Sequence, residues 1–98
     1  EGDQWVYVLS NPSLPKEYLK IGYTAGTPEE RAKQISSSTG VVLPYEVEWA
    51  YKCFNWEVIE KMTHNNLNTY RVRNNKEFFQ ISLKEAKENI ILIGNKFK

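Results

Sequence analysis

Tyr7, Lys20, Arg31, Glu60 and His64 are the side chains of this sequence best placed to do chemistry, each in a short, readable element. Tyr7 leaves a β-branched and aromatic run, Trp5-Val6-Tyr7-Val8-Leu9, that reads as a strand. Lys20 sits on the next strand, and Gly22 two residues on allows a tight turn or a close ligand. Arg31 falls in the first turn of a helix announced by Thr27-Pro28-Glu29-Glu30. A cation at the positive end of a helix gains nothing from the macrodipole, so its placement asks for another reason. Backbone N–H groups at that end attract anions, and the combination reads as a phosphate site. The plainer alternative is a solvated arginine paired with Glu29 or Glu30.

Glu60 and His64 stand four apart and share a helix face, with Arg71 seven further along nearly the same line. A carboxylate there can hold a divalent cation, and a histidine one turn on can bind phosphate or shuttle a proton. The alternative is a surface ion pair of Glu60 with His64 or Lys61. One cysteine and one histidine cannot build a closed zinc site. Cys53 lies in an alternating strand and reads as core, so no nucleophilic triad is supported.

These residues must be positioned by a small set of elements. Ser10 to Ser13 ends the first strand, and Tyr18 to Tyr23 pairs back on it as a hairpin. The first helix runs to about Ile35 and dissolves in the serines before Gly40. Tyr45 to Cys53 is a third strand, with Tyr45, Val47, Trp49, Tyr51 and Cys53 on one face and Glu46, Glu48 and Lys52 on the other. Asn55 is placed to cap a second helix, Trp56 to about Tyr70, with a buried stripe of Ile59, Met62 and Leu67. Arg71 to Lys76 is a basic loop, and Glu77 to Ile81 a short edge strand. Ser82 and Glu85 form a capping box for a last helix ending near Ile93. The expectation is an α+β fold: a small, mainly antiparallel three-stranded sheet packed by helices, β-β-α-β-α plus a short strand and a C-terminal helix.

At 98 residues the chain has room for one domain, taken as 1–98. It opens at Glu1 without methionine, which suggests processing or excision from something longer. A net charge of +1 gives no global basic footprint, so any polyanion site must be a local patch. The single cysteine suits a reducing compartment, and a cytoplasmic location is expected, the host's if the chain is phage-encoded. The longest apolar run, Ile90 to Ile93, is far too short for a bilayer, so no membrane partner is expected.

Taken in order, "WVYVL", "KIGYT", the helix arginine and Glu60 within "VIEKMTH" resemble the GIY-YIG nuclease superfamily. The likeness is to its phage and bacterial branch, on Lys20-Ile21-Gly22 with Thr24, on His64, Leu67, Tyr70 and Arg71 at their spacing, and on Glu77-Phe78-Phe79. It spans roughly residues 5 to 90. Lys20 departs from the superfamily's second motif, which usually has tyrosine there, although lysine at that position looks normal within this branch, and Tyr23 stands where several members carry a basic residue just after the glycine.

The resemblance implies an endonuclease that hydrolyses phosphodiester bonds in DNA with one Mg²⁺ or Mn²⁺. In that scheme Glu60 holds the metal, with Glu77 the second choice. Arg31 stabilises charge on phosphorus, and Tyr7 takes the proton from water, helped by cations such as Lys20. His64 completes the catalytic set, while Tyr23, Thr24, Arg71, Arg73 and Lys76 bind the nucleic acid. Exposed Tyr23, Trp56 or Tyr70 suit base stacking on single strands. Single- and double-stranded DNA both stay open as partners, and a domain this small commonly borrows specificity from flanking domains or a dimer partner. The rival is a catalytically weak or inactive nucleic-acid-binding or regulatory module on the same fold.

Overall fold

The computed structural model describes residues 4–15, 18–38, 43–72 and 77–96. Four strands, β1 (Gln4–Ser10), β2 (Tyr18–Thr24), β3 (Glu46–Cys53) and β4 (Phe78–Gln80), form one sheet in the order β3-β1-β2-β4. All of its strand pairs are antiparallel. The helices are α1 (Pro28–Ser38), α2 (Trp56–Asn66) and α3 (Leu83–Asn95), with a single 3₁₀ turn at Asn68–Tyr70. The expected α+β class holds, and the short strand joins the three-stranded sheet as its fourth member.

Two of the expected caps form. Thr27 Oγ1 accepts from the Glu30 N–H at 3.1 Å, and Glu30 Oε1 accepts from the Thr27 N–H at 3.4 Å, a reciprocal capping box. Ser82 Oγ accepts from the Glu85 N–H at 3.2 Å. Asn55 occupies the N-cap position of α2 but its side chain makes no capping bond. α1 runs past Ile35 because Ser36 is satisfied within it: its hydroxyl donates to Ala32 O and accepts from Tyr45 N–H. α2 stops earlier than expected, at Asn66, where asparagines compete with the helix for backbone bonds, and the chain tightens into the 3₁₀ turn.

Alternation along β1 splits the core in two. Val6 and Val8 point to the face covered by α2 and α3, with Leu19, Ile21, Ile59, Phe79 and Ile90. Tyr7 and Leu9 point to the opposite face, against Ala32 and Ile35 of α1. β3 corrects the expected pattern. Its pairing shifts between Val8 and Leu9, which oppose Trp49 and Val47, leaving Glu48 as an extra residue. Such a bulge moves side chains to the other face. Tyr45 and Val47 therefore pack beside α1, whereas Trp49, Tyr51 and Cys53 pack on the α2–α3 side. Glu46, Glu48 and Lys52 stay exposed, as expected.

β4 is the element that shapes the site. It pairs with Tyr18, Leu19 and Lys20 of β2, and one further bond follows, from Ile21 N–H to Glu77 O at 2.9 Å. Among the described residues, the C-terminal half of β2 has no strand partner beyond that bond on this side.

Candidate active site

Tyr7 faces Gly22 across the β1–β2 ladder. A β-carbon on residue 22 would lie 2.6 Å from the phenolic oxygen. The glycine therefore serves neither a turn nor a bound ligand: it makes room for the tyrosine ring. Tyr7 is almost wholly buried, and the Arg31 guanidinium beside it favours the ionised form of its phenol. Arg31 also donates to Gln34 Oε1 at 3.3 Å, one turn along α1. The guanidinium is thus directed to Tyr7 and Gln34, and these two, with Tyr23, Thr24 and Glu77, line a cleft of about 290 Å³.

A second cleft, about 460 Å³, adjoins the first and is lined by Trp56, Glu60, Lys61, His64 and Arg71. Tyr23 borders both. The candidate catalytic residues are therefore divided between two clefts. Tyr7 and Arg31 approach from the α1 face of the sheet, Glu60 and His64 from the α2 face, around the edge that β4 leaves short. Electrostatically the halves are joined, since Glu60 and Glu77 both act on Tyr7.

Burial pushes the Tyr7 phenol above its ordinary value, and the carboxylates Glu77 and Glu60 add to this, outweighing the opposing effect of Arg31. The expected help from Lys20 takes another direction. Its ammonium is paired with Glu77 Oε1 at 2.5 Å and lies over the Phe78 ring, 5.1 Å from its centroid. Glu77 thus finds its partner in Lys20. Arg73 and Lys76, expected in the nucleic-acid-binding set, lie outside the described residues.

Glu60 is mostly shielded, and its carboxyl is pushed up to about 7 by burial and then by the Glu77 charge, with Lys20 opposing. His64, one turn on, brings Nε2 to 3.9 Å from Glu60 Oε2. The shielding of both, 17% and 14% exposed, sets the pair apart from an ordinary surface contact. His64 has a job that its sequence position does not reveal. Its Nε2 lies 2.9 Å from Ile21 O, so this nitrogen carries the proton and donates to a backbone carbonyl at the sheet edge. The imidazole also packs against Phe79, with ring centroids 5.1 Å apart. Burial holds its pKa below the usual value, against the bond to Ile21.

Arg71 follows the 3₁₀ turn and bridges to Phe79. It reaches back to His64 O at 3.4 Å, and its guanidinium lies 5.4 Å from the Phe79 ring centroid. Tyr23 and Trp56 stack nearly parallel, centroids 3.9 Å apart and planes 12° from parallel. Gln34 and Lys61 are cleft residues that sequence reasoning missed. The i, i+3 spacing of Gln34 from Arg31 was the only available signal for it.

The residues present fit a single hard divalent cation. Burial first, and then the Glu77 charge, hold a proton on Glu60 near neutrality, and a cation would relieve the part that is repulsion. Among the described residues no three His, Cys, Asp or Glu side chains cluster as a metal cage. Glu60 would then be the protein ligand, with water and substrate oxygens completing the shell.

The fold and the paired clefts define a small α+β domain with an arginine–tyrosine pair beside a carboxylate at an unfinished sheet edge. The chain belongs to the T5orf172 domain family, whose model matches residues 4–94. This is a phage-associated domain found in a nuclease context. No curated protein and no solved structure matches the chain. Among the described residues, no helix is long and apolar enough to cross a membrane.

Proposed function

We propose that this domain is a metal-dependent endonuclease of GIY-YIG type that hydrolyses phosphodiester bonds in DNA. The observation that carries this reading is the placement of Arg31 with the buried Tyr7 phenol in one polar cleft, near a carboxylate that holds its proton near neutrality. A structural tyrosine needs no guanidinium, and a structural glutamate is seldom this shielded without a close cationic partner.

Arg31 binds a non-bridging oxygen and stabilises the charge that grows on phosphorus. Tyr7 must first give its own proton to solvent; its phenolate then accepts the proton of the attacking water. The water oxygen forms a new bond to phosphorus, and the bond to the leaving sugar oxygen breaks. Glu60 would hold Mg²⁺ or Mn²⁺, with Glu77 the alternative ligand. When bound, the cation supplies Lewis-acid polarisation of a phosphoryl oxygen. His64 keeps the β2 edge and Glu60 in register, and Thr24, Arg71, Arg73 and Lys76 guide the strand.

One observation favours a catalytically weak or inactive binding module instead: in the resting protein the Tyr7 phenol is pushed up, away from the ionised form. A single assay separates the two. Purified domain is incubated with single- and double-stranded DNA and with RNA, in Mg²⁺, in Mn²⁺ and in chelator. Cleavage that needs the metal and is lost in Arg31→Ala and Glu60→Gln supports the enzyme. Binding without cleavage in either metal supports the module.

A further inference from the structure

The Tyr23–Trp56 pair is the feature that catalysis leaves unexplained. Tyr23 follows Gly22, stands on the ridge between the two clefts, and is 42% exposed. Trp56, at the first position of α2, covers one face of its ring in a nearly parallel stack. Aromatic pairs in proteins favour offset or edge-on contacts, whereas a centroid separation of 3.9 Å at 12° is the geometry of stacked bases. With one face taken by Trp56, the remaining exposure of Tyr23 belongs to its other face and its edge.

We infer that the outer face of Tyr23 is a seat for one unpaired nucleobase, with Trp56 as the rigid backing that holds the seat in position. This rests on the nuclease reading, because the base is that of a nucleotide whose neighbouring phosphate enters the Arg31 cleft. Tyr23 pairs with Val6 and so points to the α2 face, away from Tyr7, but it lines the Arg31 cleft as well as the α2-side one, so a base on this ring belongs to the nucleotide that passes between them rather than to distant strand. A base inside a duplex is stacked on both faces and cannot cap the ring. The seat therefore selects single strands, frayed ends or flipped nucleotides. A net charge of +1 agrees, since strong non-specific duplex binding rests on many phosphate contacts and a global basic footprint is absent here. Stacking is sequence-tolerant, so the seat recognises the absence of pairing rather than a particular base.

The test measures binding in chelator, so it reads recognition without chemistry. The probes are a single-stranded DNA oligonucleotide, the same oligonucleotide with single abasic positions, and its blunt duplex. Tyr23→Ala should weaken single-strand binding roughly tenfold to a hundredfold and leave duplex binding within about twofold, while Tyr23→Phe binds as the wild type does. With wild-type protein, one abasic position should cost the same factor, and with Tyr23→Ala that position should cost nothing further. The abasic arm holds even if the alanine variant folds poorly. Equal losses on single strand and duplex, no abasic effect, or no nucleic-acid binding at all would overturn the seat. If Arg31→Ala abolishes cleavage while every Tyr23 arm is silent, the nuclease reading stands and the seat falls. If the Tyr23 pattern appears in a protein that never cleaves, the seat stands and the catalytic reading falls.

Discussion

The ring of Tyr7 occupies the space that a side chain at position 22 would need, so these two cross-strand partners function as one unit. Gly22→Ala must displace a buried phenol that has little freedom to move. The expected result is a loss of about 1–3 kcal/mol in stability from overpacking. Cleavage should fall further than stability explains, because the phenol leaves Arg31. Thermal melting and cleavage rates at a temperature where the variant is fully folded separate the two effects.

Tyr7→Phe keeps the ring and removes the oxygen. Cleavage should drop at least a hundredfold, within the range typical of a lost general base. Because burial raises the Tyr7 pKa, the phenolate fraction at neutral pH is small and grows with pH. The wild-type rate should therefore keep climbing above about pH 7.5, beyond the range of an ordinary histidine. A plateau set by a single group near 6.5 would move the proton acceptor to His64.

Glu60→Gln removes a carboxyl whose folded pKa, about 7, stands above its ordinary value. Such a group stabilises the fold below its unfolded pKa, and that contribution is lost as pH rises through about 7. The glutamine variant should consequently melt higher than wild type at pH 8, by about 1 kcal/mol after allowance for solvent screening, and show no such gain near pH 4. Added Mg²⁺ should raise the melting temperature of wild type but not of the variant. Metal-dependent cleavage disappears with the carboxylate. Cleavage that survives would assign the ligand to Glu77.

His64→Ala leaves Ile21 O without its donor and Phe79 without a ring neighbour. A stability loss of about 1–3 kcal/mol is expected, with faster amide exchange near Ile21. A reduced rate with an unchanged pH profile would mark His64 as positioning rather than proton-transferring. His64→Gln, which can still donate, should recover part of both losses.

Much of this architecture was legible in local chemistry. Thr27 and Glu30 announced α1 because capping is settled by residues three apart, and Ser82 did the same for α3. The strands were readable from β-branched and aromatic runs. The bulge at Glu48 was not, because an extra residue leaves no mark on an alternating pattern until the partner strand is laid beside it. Tyr7 and Arg31 could be named from their elements. The pairing of Lys20 with Glu77, 57 positions apart, and of His64 with Ile21, 43 apart, depends on tertiary placement that no short window contains.

The brevity of β4 carries a consequence for the life of the protein in a crowded cell. A sheet edge left bare invites another strand to add to it, the first step of edge-to-edge aggregation. Among the described residues the C-terminal half of β2 has no strand partner on this side, and Tyr23, which lines both clefts, stands on that stretch. His64 meets this conflict with a side chain, satisfying the carbonyl of buried Ile21 without extending the ladder. The domain thus carries a vulnerability that it cannot lose without losing its site.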